Sequence, residues 1–260
     1  MASFCISAMP TTTPLVVGIT GPQGCGKSTL AATTVTNLQK RGLRSVTVSI
    51  DDFYLTHSEQ QALAARHPGN PYLEHRGYPG THDIALGVSV LDALSSPTDG
   101  EVTLPAYNKG AQGGRGDRAS VTDGCTVRTP LDIVLLEGWM LGFVAVPAKT
   151  LEDPDFRAAN DLLRQYDAWT NRLGALVHLD ALDPAFVVDW RIEAERVRRA
   201  VTGAGLSDDD AYDYIKRFLP AYQVYSPNLR ARPPLTGACL RITIDKDRRA
   251  VQMIQVKLSS

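Results

Sequence analysis

Three groups of residues have types and spacing that could do chemistry. In the first, residues 21–28 (GPQGCGKS) fill the pattern G-x-x-x-x-G-K-[ST] completely. The pattern carries meaning only between a strand and a helix, and both flanks comply. Leu15–Thr20 is short, apolar and β-branched-rich, while 28–41 has helical length with Leu30, Thr34 and Leu38 on one side. In that setting successive backbone N–H groups curl around an anion, the glycines admit the dihedrals required, and the helix N-terminus adds its dipole. The expected nucleotide-binding residues are Gly21, Gln23, Gly24, Cys25, Gly26, Lys27, Ser28 and Thr29. Lys27 would neutralise β/γ-phosphate oxygens, and the Ser28 hydroxyl would sit on Mg²⁺, with ATP as co-substrate.

The second group is Asp51-Asp52, where the apolar run 45–50 ends. In a parallel sheet a strand's carboxyl end lies on the ligand-binding rim, so a carboxylate there can take a proton from an attacking hydroxyl or hold a metal-bound water. Capping of a turn is the structural alternative. The third is Glu137, which closes the apolar stretch 131–136 and suits the second acid of a phosphate-loop metal site.

Two polar loops add candidates for an anionic, hydroxylated small molecule. Residues 67–83 form a long Gly/Pro-rich segment containing Arg76, His82 and Asp83, and a loop of that length inside a compact domain is usually functional. Residues 104–118 hold Tyr107, Lys109, Arg115 and Arg118 among four glycines, a composition that allows close backbone approach to a ligand. Asp52, Tyr54 and these seven residues are the expected substrate contacts. The helix expected over 184–200 carries Arg191, Glu195 and Arg198 on one side. It reads either as a solvated, salt-bridged helix or as a lid, over about 184–205, whose arginine, Arg198, stabilises the transferring phosphoryl group alongside Lys27 and Asp51.

The elements that must position these groups are those of an α/β fold, a mainly parallel sheet flanked by helices. Further helices are expected over 58–66, Ile84–Leu94 (capped by Asp83), 155–172 and 208–219, and further strands over 175–179 and 239–244. Residues 1–14 are expected to be a disordered tail and 15–260 one kinase domain. With 27 basic and 28 acidic residues in 260, nothing calls for nucleic acid or an anionic membrane as partner, and no run approaches the ~18 apolar residues of a membrane span. Cys5, Cys25, Cys125 and Cys239 lack metal spacing and read as reduced thiols. Positive potential in the phosphate loop could lower the Cys25 pKa, though a filler role explains that position more simply.

Taken together, 21–28, SIDDFYLT (49–56), the loop ending in GTHD (80–83), AYNKGAQGGRGDRA (106–119), LLEGWMLGF (135–143), WRIEAE (190–195) and FLPAYQVYSP (218–227) resemble the D-glycerate 3-kinase family. That family is related to uridine kinase, pantothenate kinase and phosphoribulokinase. The resemblance implies a P-loop NTPase fold with a helical lid, Asp51 as catalytic base, Glu137 as the acid near the metal, and ATP-dependent conversion of D-glycerate to 3-phosphoglycerate. A kinase for pantothenate or a nucleoside, or a non-enzymatic ATP-binding regulator, stays open from the residues themselves. A cytoplasmic monomer is expected. Chloroplast stroma is the alternative, since plant members carry an N-terminal targeting extension not seen here.

Overall fold

The structure, a computed structural model, describes residues 1–10, 14–203 and 205–257. In chain order its main elements are α1 (Ala2–Ala8), β1 (Leu15–Thr20), α2 (Lys27–Gln39), β2 (Ser45–Ser49), α3 (His57–Arg66), α4 (Ile84–Leu94), β3 (Gly100–Thr103), β4 (Tyr107–Asn108), β5 (Asp117–Arg118), β6 (Thr126–Thr129) and β7 (Ile133–Glu137). They continue with α5 (Pro154–Leu163), α6 (Asp167–Thr170), β8 (Ala175–Ala181), α7 (Phe186–Thr202), α8 (Asp208–Lys216), α9 (Leu219–Ala231), β9 (Ala238–Ile244) and β10 (Ala250–Lys257).

Six strands form one sheet in the order β10-β9-β8-β1-β7-β2, parallel except for β10. The alternation of the pleat divides the core in two. Leu15, Val17 and Ile19 point to the layer built by α1, α2 and Trp190, whereas Val16, Val134 and Leu136 point to the layer built by α4, α5, α6, α8 and α9. β1 is buried along its whole length because it sits between β8 and β7 under both layers. The register puts Ser49 and Ile19 opposite Glu137, so the ends of β1, β2 and β7 share one rim.

Several expectations need correction. The N-terminal stretch is not a disordered tail where it is described: Ala2–Ala8 is helical and buries Phe4 and Cys5 in the α2 layer, while 11–13 lie outside the described residues. The helix expected over 155–172 breaks into α5, a 3₁₀ turn at Arg164–Tyr166 and α6, which lets both Tyr166 and Trp169 turn into the core. Residues 219–231 are a helix despite Pro227, its other proline, Pro220, sitting near the N-terminus where a missing N–H costs nothing. The sheet does not end at Ile244, since β10 returns antiparallel along β9. α7 ends at Gly203, in left-handed conformation with φ 71°; Ala204, within the expected lid, is outside the described residues.

Candidate active site

The loop from β1 to α2 wraps the helix N-terminus. Gly26 is the N-cap at φ 98°, open to a ligand on its Cβ side, and Gly24 stands at φ 78° so close to α7 that a Cβ there would lie 2.7 Å from the Trp190 Cβ. Lys27 is buried and donates to the carbonyls of Gly21 (2.8 Å) and Pro22 (2.9 Å), holding its ammonium over the loop. Ser28 Oγ donates to Glu137 Oε1 at 2.9 Å, which joins the first and third groups of the sequence reading. The Gln23 backbone N–H donates to the Tyr222 hydroxyl at 3.1 Å, and Thr29 stands exposed on the first helical turn. Cys25 is buried, and burial raises its thiol pKa against the pull of Lys27, which makes it a packing residue rather than an activated thiol.

Around the other side of the rim, Asp51 follows β2 in a 3₁₀ turn, Ile50–Phe53, whose first free N–H is accepted by Ser49 Oγ. Burial would raise the Asp51 pKa, but the Lys109 ammonium, donating to Oδ2 at 2.6 Å, and the neighbouring Tyr54 hydroxyl outweigh it and hold the carboxyl below its usual value. Asp52 goes the other way. Burial, then the charges of Asp51 and Glu137, push it up to about 6 against the pull of Lys109. Carboxylates crowded near a serine hydroxyl form a hard-oxygen donor set that suits a divalent cation. Among the described residues no cluster of three His, Cys, Asp or Glu is placed to hold an ion by itself, so phosphate and water oxygens would have to complete such a shell.

The remaining candidates surround Tyr54. His82 stacks on its ring (centroids 4.3 Å), and Tyr107 meets it edge-on at 5.3 Å. His82 is buried, its Nδ1 is 2.6 Å from the Tyr166 hydroxyl, and burial drives its pKa down to about 3, so it is a neutral ring supporting Tyr54. Arg76 spends Nη1 on the carbonyls of Gly114 and Arg115 and Nη2 on that of Lys109 at 3.3 Å, with its Cζ 5.7 Å from the Tyr107 ring centre. It holds the 109–115 loop closed, and with it Lys109. Asp83 caps α4 through Leu86 N–H and pairs with Arg118 at 3.2 Å; Arg118 also reaches the Tyr54 carbonyl. Arg115 lies against His75 (2.9 Å to Nδ1). Of the nine expected substrate contacts, Asp52, Tyr54, Tyr107 and Lys109 therefore gather about Asp51, whereas His82, Asp83 and Arg118 brace them from behind. Arg198 is exposed on α7, and Arg191 on the same helix stacks its Cζ 4.6 Å over the Tyr214 ring.

Similarity to known proteins agrees with this architecture. The chain is 32% identical to the solved structure of D-glycerate 3-kinase from Cryptococcus neoformans, with a TM-score of 0.90 over 98% of this chain and 97% of that one. It belongs to the D-glycerate 3-kinase family. It is also 42% identical over 247 residues to the chloroplastic D-glycerate 3-kinase of Arabidopsis thaliana, covering 92% of this chain and about half of that protein (54%). An uncharacterized kinase of Schizosaccharomyces pombe is 35% identical over 92% of this chain and 91% of its own length. No family model matches the chain. The family's fold is that of P-loop kinases, and no helix among the described residues is long and apolar enough to cross a membrane.

Sequence reasoning missed three residues that border the phosphate loop or the loops around Asp51. Tyr222, on the unexpected helix α9, reaches the phosphate loop. Arg248, at a positive-φ turn between β9 and β10, donates from Nε to the Gly24 carbonyl at 2.7 Å and from Nη2 to Glu193 at 2.6 Å. Arg217 shares the Tyr214 ring with Arg191, its Cζ 4.5 Å from the centre. Only side-chain geometry reveals these contacts, and no local spacing signals them.

Proposed function

We propose that the chain transfers the γ-phosphoryl group of ATP to the terminal hydroxyl of D-glycerate, giving 3-phosphoglycerate and ADP. The observation that carries this is the position of Asp51: a carboxylate at the end of β2, on the rim of the phosphate loop, fixed in place by Lys109 with Tyr54 alongside. A protein that only binds and releases nucleotide has no need of such a group. The backbone of 24–28 and Lys27 hold the phosphates, and Asp51 orients the acceptor hydroxyl and takes its proton as the new O–P bond forms and the bond to the β-phosphate oxygen breaks. Its lowered pKa keeps it ionised and ready to accept at neutral pH.

Ser28 and Glu137, with Asp52 close by, are the residues that would hold Mg²⁺, which neutralises charge on the β- and γ-phosphates when bound. The lid expected over about 184–205 is built on α7, which would bring its arginines over the phosphates as the site closes. Every group invoked comes from one chain, so no second copy is needed. An acceptor screen with coupled ADP detection tests the reading: D-glycerate should stimulate ADP release more than pantothenate, nucleosides or water. ADP release independent of glycerate overturns it.

A further inference from the structure

Two guanidinium groups lie on the Tyr214 ring, and they are not equivalent. Arg191 has a partner, since its Nη2 is 2.5 Å from Oε1 of the buried Glu195. Arg217 has none: its Nε, like that of Arg191, is buried and unsatisfied, but among the described residues no other atom of its guanidinium makes a hydrogen bond or ion pair either. The group is held rigidly all the same. Its Cζ stacks 4.5 Å from the Tyr214 ring centre and 5.1 Å from that of Phe218, and its backbone carbonyl accepts from the buried Tyr78 hydroxyl at 2.5 Å. Tyr78 in turn stacks on Phe218 (5.2 Å), and Gly77 leaves room where a Cβ would come within 2.9 Å of Phe218 and 4.0 Å of Arg217 Nη2.

A half-buried cation without a counter-ion is costly unless an anion arrives. The surroundings sharpen that need. Arg115 and His75 lie on the same side, and burial, then the charges of Arg115 and Arg217, lower the His75 pKa. Glu74, 3.6 Å from His75 Nε2, is the nearby acid, and it points to the histidine, not to Arg217. Arg217 Nη2 lies 4.0 Å from where a Gly77 Cβ would stand, next to Arg76, whose Cζ is 5.7 Å from the Tyr107 ring centre, and Tyr107 meets Tyr54 edge-on at 5.3 Å, so the uncompensated charge borders the loops that close around Asp51. Arg76 cannot serve there, because its donors are committed to loop carbonyls.

We infer that Arg217 binds the carboxylate of the acceptor and thereby sets the specificity of the site for hydroxy acids over neutral polyols. This rests on the phosphotransfer reading above and adds to it the residue that recognises the anionic end of the substrate. Guanidinium and carboxylate match as planar, two-pronged partners, and the aromatic stack fixes the plane of the first before the second arrives.

The test compares D-glycerate with glycerol as acceptors for the wild type and for Arg217→Ala, Arg217→Gln and Arg217→Lys. The alanine and glutamine variants should raise KM for glycerate about 100-fold, the cost of removing one charged hydrogen-bonding partner, while KM for ATP and the rate measured with glycerol stay near wild type. Arg217→Lys should recover part of the loss, and added guanidinium ion should restore glycerate use by Arg217→Ala. Glycerate KM within about twofold of wild type in Arg217→Ala, or equal losses with glycerate and glycerol, overturns the inference and leaves Arg217 a packing residue. Failure of the underlying reading looks different. A wild type that ignores glycerate but phosphorylates another hydroxy acid carries the same comparison with that acid, whereas one that accepts only neutral alcohols, or none, overturns both.

Discussion

The two halves of the site are built by opposite means. The proposed nucleotide half is local in its donors: nine consecutive residues supply its backbone N–H groups, lysine and hydroxyls, and Lys27 is held by the loop's own carbonyls, while Glu137, Tyr222 and Arg248 reach it from elsewhere. The proposed acceptor half draws Asp51, Tyr54, Arg76, Tyr107, Lys109, Tyr214 and Arg217 from several parts of the chain, joined by side-chain contacts such as Lys109 to Asp51 and Tyr107 to Tyr54. Backbone geometry tolerates change in the surrounding sequence, whereas a network of side chains depends on every member. On the reading proposed above, the nucleotide half can be common to many kinases while the acceptor half selects the substrate.

That contrast can be broken by mutation. The largest effect is expected from Asp51→Asn, which should lower kcat about 10³-fold while leaving KM for ATP within a few-fold, because a neutral amide can orient the hydroxyl but not take its proton. Near-normal turnover would remove Asp51 from the mechanism. Lys27→Ala should lower kcat/KM about 10²-fold with whatever acceptor is offered, and a loss that depended on the acceptor would mean the halves are not separate. Arg76→Ala should cost roughly tenfold, through a higher acceptor KM, with faster proteolytic cleavage within 109–116, since it frees the loop carbonyls that Arg76 ties down, that of Lys109 among them. Unchanged cleavage would refute its bracing role.

The smallest expected effect concerns stability. The Asp52 pKa is raised to about 6 in the folded protein from its ordinary value of 3.8, so the folded state binds more protons between those values and stability falls as pH rises through that window. Asp52→Asn should then raise the melting temperature by roughly 3 °C at pH 7.5 without ligand and by nothing near pH 3.5. A gain independent of pH would show that ionisation of Asp52 is not its cause.

What could be read from the sequence follows the same division. The strand, turn and helix around 21–28 were fully legible because the relevant physics is local: glycine dihedrals, helical spacing and a run of apolar residues. Asp51 and Glu137 were legible as acids at strand ends, and the register that aligns them follows once the strands are parallel. The acceptor loops were legible only as composition. Nothing in the spacing of Arg76 distinguishes a guanidinium that meets substrate from one that closes a loop on three carbonyls. α1 escaped notice because its seven residues lack a cap and charged termini and owe their helix to packing on α2. β10 escaped because, as an edge strand, it exposes Val251, Met253 and Val256 and shows no buried stripe.

Gly24 carries a further consequence. The phosphate-loop pattern leaves that position unrestricted, yet here φ is 78° and the Trp190 Cβ lies 2.7 Å from where a methyl would go. The loop and α7 are therefore complementary surfaces, and grafting in a phosphate loop from another kinase would succeed or fail on the fit to one tryptophan, however well it bound phosphate in its own scaffold. A redesign of the nucleotide half has to recruit residue 190 along with residues 21–28.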